Sequence, residues 1–188
     1  MDSMDSKLRN LYISRILWFD LEMTGLSPDD DFILEAAAIV TDWNFKEIAT
    51  YEGIVKNKVT DIKKRMALNS SFWDINPGSK NGLLEQNLSG KSVKKIEKEI
   101  LDFIHKNFKS GIPVLLAGNT IHIDRRFIRA KWSRFDAVLH YRMLDVSAWK
   151  VVFEGKYKEK FAKPNAHRAL DDIRGSIAEL QYYLAKLK

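Results

Sequence analysis

Asp20 and Glu22 stand two residues apart at the end of the apolar run Ile16-Leu17-Trp18-Phe19. Side chains of an extended strand alternate between faces, so the two carboxylates point the same way. The run before them is apolar on both faces, Ile16 with Trp18 and Leu17 with Phe19, as in a strand covered on both sides. Neighbouring carboxylates at such a place repel each other and lose hydration, and a cation is the natural compensation. Mg²⁺ and Mn²⁺ are hard cations that take carboxylate oxygens. Taken alone, Asp-Leu-Glu reads equally well as the start of a polar turn into Thr24-Gly25-Leu26-Ser27-Pro28.

Further groups of the same chemistry lie downstream. Asp124 falls in Gly118-Asn119-Thr120-Ile121-His122-Ile123-Asp124-Arg125-Arg126-Phe127, after a buried strand and at the start of a helix. His167, Asp171 and Asp172 come where an amphipathic helix begins. Compensation of the helix dipole explains each acid by itself. Helix arithmetic does not choose between Asp171 and Asp172, since both fall off the apolar stripe.

The elements that must position these groups show in the periodicity. Arg15–Leu21, Ile33–Thr41 and Ile48–Val55 read as strands separated by short polar turns, which predicts an antiparallel meander. Residues 56–90 are mixed and broken at Asn76-Pro77-Gly78. Ser92 to Phe108 reads as a helix with Val93, Ile96, Ile100, Phe103, Ile104 and Phe108 on one stripe, stopped by Gly111-Ile112-Pro113. A buried strand at Val114–Ala117, a helix from near Asp124 to Lys131, a strand at Tyr141–Leu144 and a helix from near Asp145 follow. The last helix carries Leu170, Ile173, Ile177, Leu180, Leu184 and Leu187 at steps of three and four. Strands first, then strand and helix in alternation, predict a mixed β-sheet flanked by helices, an α/β domain.

Composition narrows the classes. The chain has 188 residues, 45% of them apolar, enough for one sizeable core. We expect residues 1–14 to be a flexible lead-in and 15–188 a single domain. Without cysteine there are no disulfides, thiolate metal sites or cysteine nucleophile, which fits a reducing compartment. No apolar run approaches the roughly 20 residues of a membrane span, and the N-terminus lacks a secretory signal. The expectation is a soluble cytoplasmic protein with no membrane partner. The net charge of +6 suits an anionic ligand. Lys91, Lys94, Lys95 and Lys98 read as a solvated helix face.

In order along the chain, Asp20-x-Glu22, Asp124, and His167 with Asp172 five residues later resemble the signature of the DEDDh 3′–5′ exonuclease family. The segments Trp18–Leu26, Gly118–Phe127, His140–Ser147 and His167–Arg174 with Ala178-Glu179-Leu180 are similar to the oligoribonuclease branch of it. The resemblance covers residues 15–188 and implies a ribonuclease H-like fold. It implies that Asp20, Glu22, Asp124 and Asp172 hold two divalent cations, Mg²⁺ or Mn²⁺, and that His167 is the general base. Phosphodiester hydrolysis needs an activated water and stabilised attacking and leaving oxygens, which two ions can supply together. An imidazole suits the base role because its ordinary pKa of about 6.5 lies near working pH.

By the same resemblance Leu26 wedges against bases and Trp73 stacks on one. Tyr141 and Arg142 reach the substrate of the partner in a homodimer, and with Thr120 and Ser147 they cap a 5′ phosphate. The implied activity is 3′–5′ degradation of short single-stranded oligoribonucleotides, down to dinucleotides, to 5′-mononucleotides. A DNA exonuclease with the same site is the alternative. A catalytically silent nucleic-acid-binding dimer predicts loss of a catalytic group, yet none of the five is missing. The chain departs from the branch at His122, where a small residue is usual, and at Gly78, where a histidine is expected. It departs again in a shortened segment from Trp149 to Pro164.

Overall fold

Five strands, β1 (Ile16–Met23), β2 (Ile33–Thr41), β3 (Glu47–Ile54), β4 (Val114–Gly118) and β5 (Leu139–Asp145), form one sheet in the order β3-β2-β1-β4-β5. This computed structural model describes residues 13–162 and 168–187. β1, β2 and β3 are the antiparallel meander expected from the sequence, while β4 and β5 join parallel to β1 and to each other. The mixed α/β sheet is therefore the observed fold class. Among the described residues no helix is long and apolar enough to cross a membrane.

Eight helices surround the sheet among the described residues: α1 (Val59–Leu68), the single turn α2 (Ser70–Trp73), α3 (Pro77–Gln86), α4 (Val93–Asn107), α5 (His122–Lys131), α6 (Ser133–Val138), α7 (Val146–Val152) and α8 (Ala169–Ala185). Alternation in β1 sorts its residues between two cores. Leu17, Phe19 and Leu21 pack with Ile96, Ile100 and Ile104 of α4 and Phe127 and Ile128 of α5. Ile16 and Trp18 pack with Ala37, Ile39, Ala117 and the α8 residues Ala169, Ile173, Ile177 and Leu180. A smaller cluster of Leu34, Ile62, Met66, Trp73 and Leu83 ties α1, α2 and α3 to β2.

Sequence-based boundaries move by a few residues. β1 runs past Leu21 to Met23, β5 opens at Leu139, and α5 opens at His122, before Asp124. Ser92 caps α4 by accepting the Lys95 N–H at 3.3 Å, as Asp145 caps α7 by accepting the Ser147 N–H at 2.9 Å. In α8 the buried stripe is Ala169, Ile173, Ser176, Ile177, Leu180 and Tyr183. Leu187, expected to continue it, lies beyond the helix and is exposed. The expected lead-in falls largely within residues 1–12, outside the described residues.

Candidate active site

β1 outruns its parallel neighbour. It pairs with β4 only from Ile16 to Trp18, but with β2 as far as Met23, past an irregularity at Glu22/Met23. Gly118 ends β4 close to β1, where a Cβ would lie 2.9 Å from the Phe19 carbonyl oxygen. The amide of Leu21, beyond the reach of the β4 ladder, donates to Asp124 Oδ1 at 3.0 Å. Asp124, in the first turn of α5, is thus bound to the peptide between Asp20 and Glu22. β1 leads to β2 on one side of the sheet and β4 leads to β5 on the other. Their carboxyl ends therefore flank a switch in strand order, the crevice where open α/β sheets bind ligands.

Asp20 and Glu22 share the face of Ile16 and Trp18, so they point toward α8. On α8, Asp172 is half-buried and lies on the side of Ala169 and Ser176, while Asp171 is exposed and pairs with Arg174 at 3.9 Å. Of the two acids that helix arithmetic left equivalent, Asp172 is thus the more buried. His167, the expected general base, lies outside the described residues. One acid escaped the sequence reading. Glu35 faces Glu22 across the β1–β2 ladder, fully buried, with Arg168 Nε 3.3 Å from its Oε2. Its signal was a charge in the middle of the apolar run Ile33-Leu34-Glu35-Ala36-Ala37-Ala38.

Burial pushes the Asp124 carboxyl up to about 8, and the charges of Glu22 and Asp145 add to the rise against its two backbone N–H donors. Among the described residues no three His, Asp or Glu side chains form one ligand cluster. The donors are carboxylate oxygens around a buried acid that resists ionising, and that chemistry fits a hard divalent cation.

Next to Glu22 opens a cavity of about 410 Å³, lined by Leu26, Asn69, Phe72 and Trp73 among others. Leu26 is 65% exposed at its rim. Trp73 is only 1% exposed, and its Nε1–H donates to the Thr24 carbonyl at 3.0 Å. The ring that reaches solvent is Phe72, 43% exposed and packed edge-on against Trp73 at 5.0 Å. Adjacent residues on a helical turn point about 100° apart, so Trp73 sinks into the core and Phe72 reaches outward while both border the cavity. Sequence reasoning passed over Phe72, although two aromatics in succession on a short helix were its signal.

Thr120 and Ser147 are brought together. Ser147 Oγ lies 2.9 Å from both the Thr120 N and Oγ1 atoms, and Asp145 Oδ1 accepts the Thr120 N–H at 3.0 Å. His122, the unexplained imidazole, is exposed with Nδ1 3.6 Å from Asp145 Oδ2. Tyr141 and Arg142 stand apart on edge strand β5, where the Arg142 guanidinium lies 5.2 Å from the ring centre of Tyr141. Tyr141 is 76% exposed there.

The chain has relatives in both sequence and fold. A family model described as an exonuclease, RNase_T, matches residues 17–180. The oligoribonuclease of Francisella tularensis subsp. novicida (strain U112) is 41% identical over 175 residues, which span 92% of this chain and 95% of that protein. A probable oligoribonuclease of Dictyostelium discoideum is 39% identical over 172 residues, 90% of this chain and 88% of that one. Among solved structures, the zinc-bound complex of E. coli ExoI with single-stranded DNA superposes with a TM-score of 0.66 at 16% identity, covering 93% of this chain. Exonuclease I from Methylocaldum szegediense gives 0.64 at 17% identity over 92% of the chain. This chain spans only 41% and 40% of those two, a likeness of fold alone, and the fold is ribonuclease H-like. Exonucleases of this kind depend on a divalent metal. With an exonuclease model along most of its length and oligoribonucleases at about two-fifths identity, the chain belongs to the oligoribonuclease family of 3′–5′ exoribonucleases.

Proposed function

We propose that the protein hydrolyses short single-stranded RNA, down to dinucleotides, one 5′-mononucleotide at a time from the 3′ end, with two Mg²⁺ or Mn²⁺ ions held by Asp20, Glu22, Asp124 and Asp172. The observation that carries this reading is the hydrogen bond from the Leu21 amide to Asp124, which joins the α5 acid to the strand segment bearing Asp20 and Glu22. Bound metal supplies Lewis acidity to the phosphate and lowers the pKa of an attacking water. The chain's own residues do the rest. Asp20 and Glu22 offer oxygens from β1, Asp124 from α5 and Asp172 from α8, so packing of helices from both faces on one strand sets the spacing. His167 takes the proton of the attacking water.

Leu26 and the Phe72–Trp73 pair hold the terminal bases in the cavity beside Glu22. Thr120 and Ser147 receive the 5′ phosphate, with Tyr141 and Arg142 contributed by a second copy of the chain. The edge position and exposure of Tyr141 support that trans arrangement. The absence of cysteine is in keeping with a cytoplasmic setting. RNA is favoured over DNA because the relatives at 39–41% identity are oligoribonucleases.

The test is incubation with RNA and DNA of two to ten nucleotides, with Mg²⁺, Mn²⁺ or chelator. The expected result is metal-dependent release of nucleoside 5′-monophosphates, fastest on the shortest RNA. No monophosphate from any RNA would overturn the reading, and equal rates on DNA would remove its sugar preference.

A further inference from the structure

We propose that Asn119 and the buried carboxylate of Glu179 are positioning residues that fix Ser147 Oγ as an acceptor and through it hold the Thr120 hydroxyl, the donor able to turn outward, at the substrate's 5′-terminal phosphate. The inference rests on the nuclease reading above and extends it to residues that touch no substrate. Glu179 is 1% exposed, and its oxygens accept from Tyr183 Oη at 2.9 Å and Asn119 Nδ2 at 2.9 Å. A carboxylate only accepts, so the Asn119 amide must turn its nitrogen to Glu179 and its oxygen the other way. That oxygen takes the proton of Ser147 Oγ at 3.1 Å. With its only proton committed, Ser147 Oγ can only accept from Thr120, whose N–H and Oγ1 both lie 2.9 Å away. One direction of donation therefore runs from Thr120 through Ser147 and Asn119 to Glu179.

Thr120 ends this chain on the exposed side, and it is held in a costly conformation. Its φ is +51°, a region that a β-branched residue rarely adopts. The N–H bonds to Asp145 and Ser147 hold it there. Of the three donors in the outer part of the network, the Thr120 hydroxyl is the one that can swing outward without unpairing a buried group. Ser147 then acts as its relay. The same Asn119 nitrogen also donates to Ser176 Oγ at 3.0 Å, and Ser176 donates to the Asp172 carbonyl at 2.9 Å. That second bond anchors the amide to α8 through a backbone carbonyl and does not involve the Asp172 side chain.

Steady-state kinetics on a 5′-phosphorylated and a 5′-hydroxyl RNA dinucleotide test this. Glu179→Gln keeps the shape but turns an N–H toward one of the two donors, and Asn119→Ala removes the relay at a half-buried position that tolerates truncation. Both are expected to raise KM for the phosphorylated dinucleotide about tenfold. They should leave kcat, and both parameters for the 5′-hydroxyl dinucleotide, within about twofold. Thr120→Ser should retain the preference for the 5′ phosphate and Thr120→Val should lose it. Equal losses on both dinucleotides in Asn119→Ala would mean that the network only supports the fold, and the inference fails. It also fails if wild type shows no preference for the 5′ phosphate, or if the two variants match wild type. Cleavage of neither dinucleotide by wild type defeats the nuclease reading itself, and this inference with it.

Discussion

Asp124 is bound to the peptide segment that carries Asp20 and Glu22, and burial there pushes its pKa up to about 8. A group whose folded pKa lies above its unfolded value contributes stability below the unfolded pKa, near 4, and loses it as pH rises through about 8. Asp124→Asn keeps an acceptor for the Leu21 amide and never has to ionise. In chelator it should melt close to wild type at pH 5 and several degrees higher at pH 9, at roughly 2–4 °C per kcal/mol. Metal-dependent hydrolysis should fall at least 100-fold. Melts at the two pH values check the first part, and an unchanged gap between them would refute the assigned burden. Phe72 carries a second prediction at this scale. A base stacked on its ring is worth about 1–3 kcal/mol, so Phe72→Ala should raise KM for a dinucleotide about 5- to 150-fold while Phe72→Tyr stays near wild type. Trp73→Ala should instead cost about 3–5 kcal/mol of stability, read by urea melts, because that ring fills the core.

Two braces at the level of elements hold the site in shape. The loop after β1, which presents Leu26, is drawn in by Asp31, whose carboxylate accepts from Thr24 Oγ1 at 2.9 Å, the Ser27 N–H at 3.0 Å and Arg65 Nε at 3.0 Å. Burial alone would raise the Asp31 pKa, but Arg65 and these donors outweigh it and hold it low. Its stabilisation is therefore present above the unfolded value and is lost in acid as pH falls through the lower folded one. The loop is packed tightly enough that a Cβ on Gly25 would sit 2.4 Å from Asn69 Nδ2 and 2.6 Å from Asp31 Oδ2, both anchored. Gly25→Ala should displace Leu26 and raise KM by tenfold or more, a larger effect than its change in melting temperature. The second brace is Arg168 on Glu35, which pins the start of α8 to β2. Arg168→Met leaves a buried acid without its cation and should cost about 2–3 kcal/mol at neutral pH. Burial already holds the Glu35 pKa above its ordinary value against the pull of Arg168. Losing Arg168 raises it further, so the penalty should shrink as pH falls and Glu35 takes a proton. Denaturant melts at pH 5 and 8 measure that difference.

At the scale of the whole molecule, the proposed cation ligands and Tyr141 lie on different parts of the sheet. Asp20 and Glu22 stand near the end of central β1, whereas Tyr141 projects from edge strand β5. If Tyr141 serves the site of a second copy, Tyr141→Ala and Asp124→Asn should each be weak alone. Mixed dimers should recover activity, because one subunit supplies an intact acid set and its mate an intact tyrosine. No recovery after subunit exchange, with dimers confirmed by light scattering, would assign Tyr141 to its own chain.

Local pattern was enough for much of this. Alternation made Asp20 and Glu22 neighbours on one face, and the apolar stripe of α4 found Ile96, Ile100 and Ile104 of its buried side but not Glu97 and Leu101. Asp20, Glu22, Asp124 and Asp172 stood out only as a set that resembles the exonuclease signature, since a turn or a helix dipole explains each alone. Tertiary structure decided the rest. It buried Asp172 more deeply than Asp171, set Glu35 opposite Glu22, sank Trp73 and exposed Phe72, and joined Asn119 to Glu179 across 60 residues. A sequence period reports which side of an element is apolar. Which polar group on that element meets which partner depends on contacts between segments far apart in the chain, and these exist only once the sheet is assembled.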